Sequence, residues 1–293
     1  MIVAEPSTEL PTELLPTLQP SEQQALRRAI LNLEDQNFAS QLADYAGRPI
    51  DRVMRLMPKA ASSRINKTVE AAILNCLNVA ITSIEPKSKA PPARHANALL
   101  AGLSGGVSGF FGLMALPIEL PVTTTLMLRA IADIARHYDE DLSTLEARLA
   151  CVEVFGLGAP KTGRRSDFGY YASRALLSRL AADASAILLE RSATNLSAPI
   201  VGSLLTEIAT RFGVVVSERS AASALPVLGA VGGATVNMLF MKHFQRVAHG
   251  HFVIRRFERQ YGAAVVRKLY AAHAPQRAAQ RVTRRRISDG RKS

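Results

Sequence analysis

The 293-residue chain has no tryptophan, only two cysteines, and few aromatics of any kind, with 6 tyrosines and 10 phenylalanines. A chain of this length can bury a sizeable core without disulfides or metals, so two cysteines exclude a disulfide framework without leaving the fold short of support. Cys76 and Cys151 each fall inside an apolar pattern of helical spacing, AAILNCLNVAI and EARLACVEVFGL, which predicts buried free thiols in a reducing compartment. Period-two alternation is missing, and so are Asn-Gly and Gly-Asn hairpin signals, which excludes a sheet-based fold and predicts an all-α multi-helix bundle. No Lys or Arg precedes Arg27, and the first residues carry Glu5, Glu9, Glu13 and Glu22 without a continuous apolar run. A secretory signal requires a basic start followed by such a run, so the sequence predicts a protein that stays in the cytoplasm or is inserted from it.

Charge is also missing over two long stretches. Ala96–Ile118 and Ser220–Met241 hold no charged residue and are rich in glycine. Each exceeds the ~20 residues a helix needs to cross a bilayer, yet small and polar residues outnumber strongly apolar ones in both, which makes either a poor span alone. Small residues recur at helical spacing: Gly102, Gly105, Gly106, Gly109 and Gly112 in the first stretch, Gly229, Gly232 and Gly233 in the second. A glycine inside a helix costs about 1 kcal/mol relative to alanine, and close helix–helix approach is the compensation that small-xxx-small spacing suggests. Three arrangements fit: two central helices crossing in a soluble bundle, a hairpin or re-entrant element entering a membrane, or a glycine surface lining a site for an apolar ligand.

What is abundant is positive charge, 36 Lys and Arg against 24 Asp and Glu. Most of the excess lies after Arg267, where Arg281, Arg284, Arg285 and Arg286 belong to a tail that is poor in apolar residues and holds one acid, Asp289. Anionic lipid headgroups suit such a tail; nucleic acid is disfavoured because few aromatics accompany it for base stacking. Four organisational units follow: an acidic leader over 1–20 with four prolines, a helical lead-in over 21–94, a helical domain over 95–272, and the basic tail over 273–293. The lead-in opens on Ser21 as a cap, and Ser143 with Glu146 reads as a capping box. Leu116-Pro-Ile-Glu-Leu-Pro121 reads as a proline elbow before a helix Thr123–His137, residues 156–167 as a loop and possible hinge, and Met241–Ala272 as one long helix.

Sequence signatures of catalysis lack their context. Gly102-Leu-Ser-Gly-Gly106 matches a nucleophile elbow around Ser104, but no strand precedes it. Gly158-Ala-Pro-Lys-Thr-Gly163 lacks the Lys and hydroxyl that complete a phosphate loop. His243, His251 and Glu258 share a helix without zinc-ligand spacing, so structural histidines are favoured over a metal site. No cofactor is implied.

Four segments carry a resemblance. Gly105–Ala135, with its GGVSGFFGLMALPIELP start, Phe168-Gly-Tyr-Tyr-Ala-Ser-Arg174, Leu225–Asn237 and His243–Gly262 are together similar to the EcsC protein family, over about Leu74 to Gly262. The family takes its name from a protein encoded beside a bacterial ABC exporter, so the resemblance implies a bacterial, membrane-connected context and supplies no activity. Its polar landmarks in this chain are Glu119, Arg129, Asp133, Asn237, His243, His251, Arg255, Arg256 and Glu258. The expectation is that Glu119, Arg129 and Asp133 pair with the His243–Glu258 helix. Function is then expected to be that of a non-enzymatic helical protein, peripheral to or partly inserted in the inner membrane, contacting lipid or a transport system through the glycine-rich helices and the basic tail. The alternatives are a hydrolase using Ser104 or the His243/His251/Glu258 face, and a soluble adaptor of a transporter subunit.

Overall fold

Apolar residues three and four apart in the sequence become buried stripes. In α1 (Pro20–Glu34) the stripe is Leu26, Ala29, Ile30 and Leu33, and in α4 (Lys59–Thr82) it is Ile65, Val69, Ala72, Ile73, Cys76, Leu77 and Ala80. The structure, a computed structural model, describes residues 18–34, 38–46, 50–82, 108–159, 169–190, 199–223 and 229–273. Between α1 and α4 come the short α2 (Phe38–Ala46) and α3 (Ile50–Arg55); after α4 follow α5 (Ser108–His137), α6 (Leu145–Leu157), α7 (Gly169–Glu190), α8 (Pro199–Ser223), α9 (Gly229–Tyr261) and α10 (Ala263–His273). Among the described residues there is no strand, and the protein is an all-α multi-helix bundle.

Helix α9 is the axis of the assembly. It packs against α5 and α1 along much of its length and touches α2, α6, α8 and α10 as well, while α8 packs on α4, α7, α6, α2 and α3. A phenylalanine cluster holds the middle: Phe212 meets Phe155, Phe240 and Phe244 at ring-centroid distances of 5.1, 5.9 and 5.4 Å. Cys76 and Cys151 are buried free thiols, and burial pushes the Cys76 thiol up to about 12.

Several expected boundaries move. Helix α5 runs through Pro117 and Pro121 without an elbow. The two prolines stand four residues apart on one side of the helix, Pro117 exposed and Pro121 half-buried. The Thr124 and Thr125 hydroxyls bond back to the Leu120 and Pro121 carbonyls, each at 2.8 Å. Helix α1 starts at Pro20, one residue before the expected Ser21 cap, because a proline preset for the first helical position makes Gln19 the boundary residue. The Gln19 amide donates to the Glu22 carboxylate at 2.9 Å. Thr144, rather than Ser143, caps α6 and accepts from the Ala147 amide; Ser143 is drawn instead to Asp141, its hydroxyl donating at 2.6 Å. The long helix expected over Met241–Ala272 is broken at Gly262, whose φ of 86° ends α9 and lets α10 fold back.

The second uncharged stretch is divided. Ser220–Ser223 close α8 and Gly229–Met241 open α9, which returns alongside it. Only five residues separate the two helices, so their uncharged ends lie at one end of the bundle. Of the first stretch, Ser108–Ile118 form the start of α5, and the earlier part lies outside the described residues. Helices α5 and α9 run in the same sense: Glu119 is level with Phe240 through Arg219, and further along the Tyr138 hydroxyl lies 3.2 Å from His249 Nδ1. The bundle therefore has one end where α5, α8 and α9 terminate without charge.

Candidate functional site

Two polar assemblies hang on α9. The first occupies its C-terminal half, where His251, Arg255 and Glu258 project at intervals of four and three residues and Arg259 follows. Arg255 donates to both Glu140 oxygens at 2.8 and 3.1 Å, and Arg259 donates to the same carboxylate and to the Tyr138 carbonyl. Glu140 sits just past the end of α5. Burial raises its carboxyl, but the hydrogen bonds and charges of Arg255 and Arg259 outweigh that, leaving it below the ordinary range. Arg174 on α7 grips Glu258 with two parallel bonds of 2.7 and 2.6 Å, and Tyr171 adds a third at 3.3 Å.

Deeper lie two groups whose charged forms burial disfavours. His251 is fully buried, its Nδ1 3.0 Å from the Tyr170 hydroxyl and its Nε2 without a partner; burial holds it well below its usual range. Glu153 on α6 is 2% exposed and accepts from the Ser178 hydroxyl at 3.0 Å. Burial pushes its carboxyl up to about 7 against the pull of Ser178, Arg255 and Arg174. Tyr270 of α10 stacks on Tyr170 and donates to Glu34 of α1, so one network joins five helices.

The second assembly lies toward the uncharged end. Arg219, near the end of α8, pairs with Glu119 on α5 and lies over the Phe240 ring at 5.1 Å. Glu119 and Thr123 are one turn apart on α5, as are Asn237 and Phe240 on α9. Thr123 Oγ1, Arg219 Nε, Ser220 Oγ and Asn237 Oδ1 are all buried without a partner among the described residues. An unmade bond at a buried polar atom costs roughly 1–3 kcal/mol, so this end holds polar groups that the helices themselves do not satisfy.

The expected pairings are corrected by this geometry. Glu119 reaches α8 rather than the His243–Glu258 helix, because Arg219 is the cation the α8–α9 hairpin brings level with it. Asp133 pairs with Arg136 one turn on in its own helix, and Arg129 is exposed. The link from α5 to α9 is made by Tyr138, Asp139 and Glu140, with Asp139 3.6 Å from Arg256. Sequence reasoning missed Glu140, Glu153, Arg174 and Arg219. An acid or arginine inside an apolar run was the available signal, as in ACVEVFGL.

His243, His251 and Glu258 do not converge. His243 Nε2 donates to the Gly158 carbonyl at 2.7 Å, His251 faces Tyr170, and Glu258 is taken by Arg174. Among the described residues no three His, Cys, Asp or Glu side chains are grouped to hold a metal ion. Ser104, Gly102, Gly105 and Gly106, the tail with Arg281, Arg284, Arg285 and Arg286, and most of the 156–167 loop lie outside the described residues. Gly109, Gly112, Gly229, Gly232 and Gly233 are helical, with surroundings that also lie outside them. Close helix approach is seen elsewhere: a Cβ at Gly250 would lie 2.7 Å from Leu33 Cγ and 3.0 Å from the Ala29 carbonyl, so this glycine lets α1 reach α9.

The model of the EcsC protein family matches residues 23–257. The chain belongs to the EcsC protein family. The match begins within α1, well before the Leu74 start of the resemblance, so the EcsC region includes the helices that pack on α8 and α9 from the N-terminal side. No curated protein and no solved structure matches the chain.

Proposed function

We propose that the protein is a non-enzymatic, membrane-associated helical protein of the cytoplasmic face, whose uncharged end meets lipid while the basic tail with Arg281, Arg284, Arg285 and Arg286 holds anionic headgroups. The observation that carries the reading is the outer face of α5. From Ser108 to Leu128 its one charged residue is Glu119, which is neutralised by Arg219, while Pro117, Ile118 and Val122 are exposed, Ile118 to 78%. An apolar helix face without charge, beside the uncharged ends of α8 and α9, favours an interfacial position over bulk water. Helix α8 is long and apolar enough to span a bilayer, but it packs against seven other helices, as a core helix does.

Flotation of the full chain with vesicles tests the proposal. The protein is expected to float with vesicles containing phosphatidylglycerol at low salt and to be partly retained at high salt, because apolar contact is not screened. Ile118→Asp should reduce the salt-resistant fraction. Absence from the vesicles at both salts overturns the reading, and co-purification with a membrane transporter subunit in its place would favour a soluble adaptor.

A further inference from the structure

The uncharged helix ends are not alone at their end of the bundle. Asn75 Nδ2 on α4 donates to Thr125 on α5 at 2.9 Å, and the Ile81 carbonyl accepts from Arg148, whose helix follows α5, at 3.0 Å. Helices α4 and α5 thus run in the same sense, and the start of α4 lies toward the start of α5. Sixteen residues separate Lys59 from Asn75, about 24 Å of helix, which carries the α3–α4 corner toward the level of Ser108. Helix α3 also packs on α8, whose C-terminus belongs to that end.

The corner has its own chemistry. Over residues 47–67 the sequence holds Arg48, Arg52, Arg55, Lys59, Arg64 and Lys67 against Asp51 alone. Arg55, Lys59, Arg64 and Lys67 are exposed, with the next acid, Glu70, exposed one turn beyond Lys67. Between Arg55 and Lys59 stands Leu56, exposed to 82%, more than any other large apolar side chain among the described residues. One exposed leucine is unremarkable by itself. A protruding leucine between Arg55 and Lys59, at a corner level with uncharged helix ends, matches an anionic bilayer, where a side chain enters the acyl boundary and cations take phosphate oxygens.

We propose that the α3–α4 corner is a lipid-docking surface in which Leu56 inserts below the headgroups and Arg55, Lys59 and Lys67 contact their phosphates. This rests on the membrane reading above and gives it a second anchor, separate from the tail. Nucleic acid would use the same cations, but it offers Leu56 nothing to enter.

The test uses the full chain and co-sedimentation with phosphatidylcholine vesicles, with and without phosphatidylglycerol. Arg55→Gln, Lys59→Gln and Lys67→Gln combined should weaken binding to the anionic vesicles on the order of a hundredfold, since each cation near the surface is worth about fivefold. Leu56→Ser should weaken binding to both vesicle types by about tenfold. A control removing equal charge elsewhere, Arg27→Gln, Arg28→Gln and Arg179→Gln, should stay within a few-fold of the unmodified protein. All these side chains except Leu56 are charged and exposed, so circular dichroism should show unchanged folding. If the corner and control triples lose binding equally, the effect is net charge and the proposal falls. If the corner triple binds vesicles undiminished, or loses binding to duplex DNA alone, the corner is overturned while the membrane reading survives. If the unmodified protein binds no vesicle, both fail.

Discussion

The two halves of α9 are built from opposite materials. From Lys242 to Tyr261 it carries three histidines besides a run of arginines and Glu258, and its charged side chains are held by α2, α7 and the turn after α5. From Gly229 to Met241 it carries no charge, and Asn237 Oδ1, which is buried, has no partner among the described residues. Charges that are paired, desolvated and bidentate fix helices in one register, because a shift of one turn would leave each of them buried and alone. The uncharged half supplies no charge of its own and is tied through a single buried pair, Arg219 with Glu119, whose arginine lies over Phe240. One end of the bundle is thus specified by several paired charges, and the other by one, with buried polar groups that have no partner among the described residues.

Breaking a pair at the specified end should have the largest effect. Glu258→Ala leaves Arg174 in place, 14% exposed at its side chain, and is expected to cost about 3–5 kcal/mol by chemical denaturation. A loss below about 1 kcal/mol would mean that the pair behaves as an ordinary surface bridge and that the contrast between the ends is superficial.

Glu153 sharpens the comparison through pH. Its carboxyl is raised from 4.5 to about 7 in the folded protein, so between those values the folded state keeps a proton that the unfolded state releases. Stability contributed by this residue must therefore fall as pH rises from about 4.5 to about 7, by about 3 kcal/mol in total, and level off above. Glu153→Gln should stabilise the protein at pH 8 and be close to neutral at pH 4.5 in parallel melts. An equal effect at both pH values would show that Glu153 is ionised throughout and satisfied by Arg255 and Arg174.

At Gly250 the expected loss is smaller. Gly250→Ala places a methyl group against Leu33 and the Ala29 carbonyl and should cost about 1–3 kcal/mol in thermal or chemical unfolding. Were the variant neutral, α1 would have to dock loosely, and the close approach would not hold the charged half in place. The smallest effect belongs to the other end, where Asn237→Leu removes an unpartnered carbonyl and should gain about 1 kcal/mol. If Asn237→Leu instead destabilises the protein, Asn237 has a partner in solution and the uncharged end is as internally specified as the charged one.

Much of this fold was legible as pattern. The helical class and the burial of Cys76 and Cys151 follow from residue type at helical spacing, where burial needs no knowledge of the partner, and the EcsC resemblance rests on the wording and order of four motif segments. Boundaries were less legible where a local signal competes with tertiary support. Pro117 and Pro121 suggest an elbow by themselves, yet α5 is continuous through both. Ser143 and Thr144 are equally good caps by type, and Asp141 decided between them by engaging Ser143. The candidate site was legible only in part, because Arg255, Arg256 and Glu258 were visible as landmarks while Arg174, Arg219 and Glu140 became partners across 84, 100 and 115 residues of chain.

The amino-acid sequence alone determined the helical class, the placement of charge and its absence, and the family, since each is a property of residue type and order along one chain. The tertiary structure decided which charges meet and which ends coincide. A hairpin turning within five residues set α8 beside α9, and that return brought Arg219 level with Glu119 and set the uncharged ends side by side. Pairing depends on the distance between helices far apart in the chain, and periodicity within one helix carries no record of it.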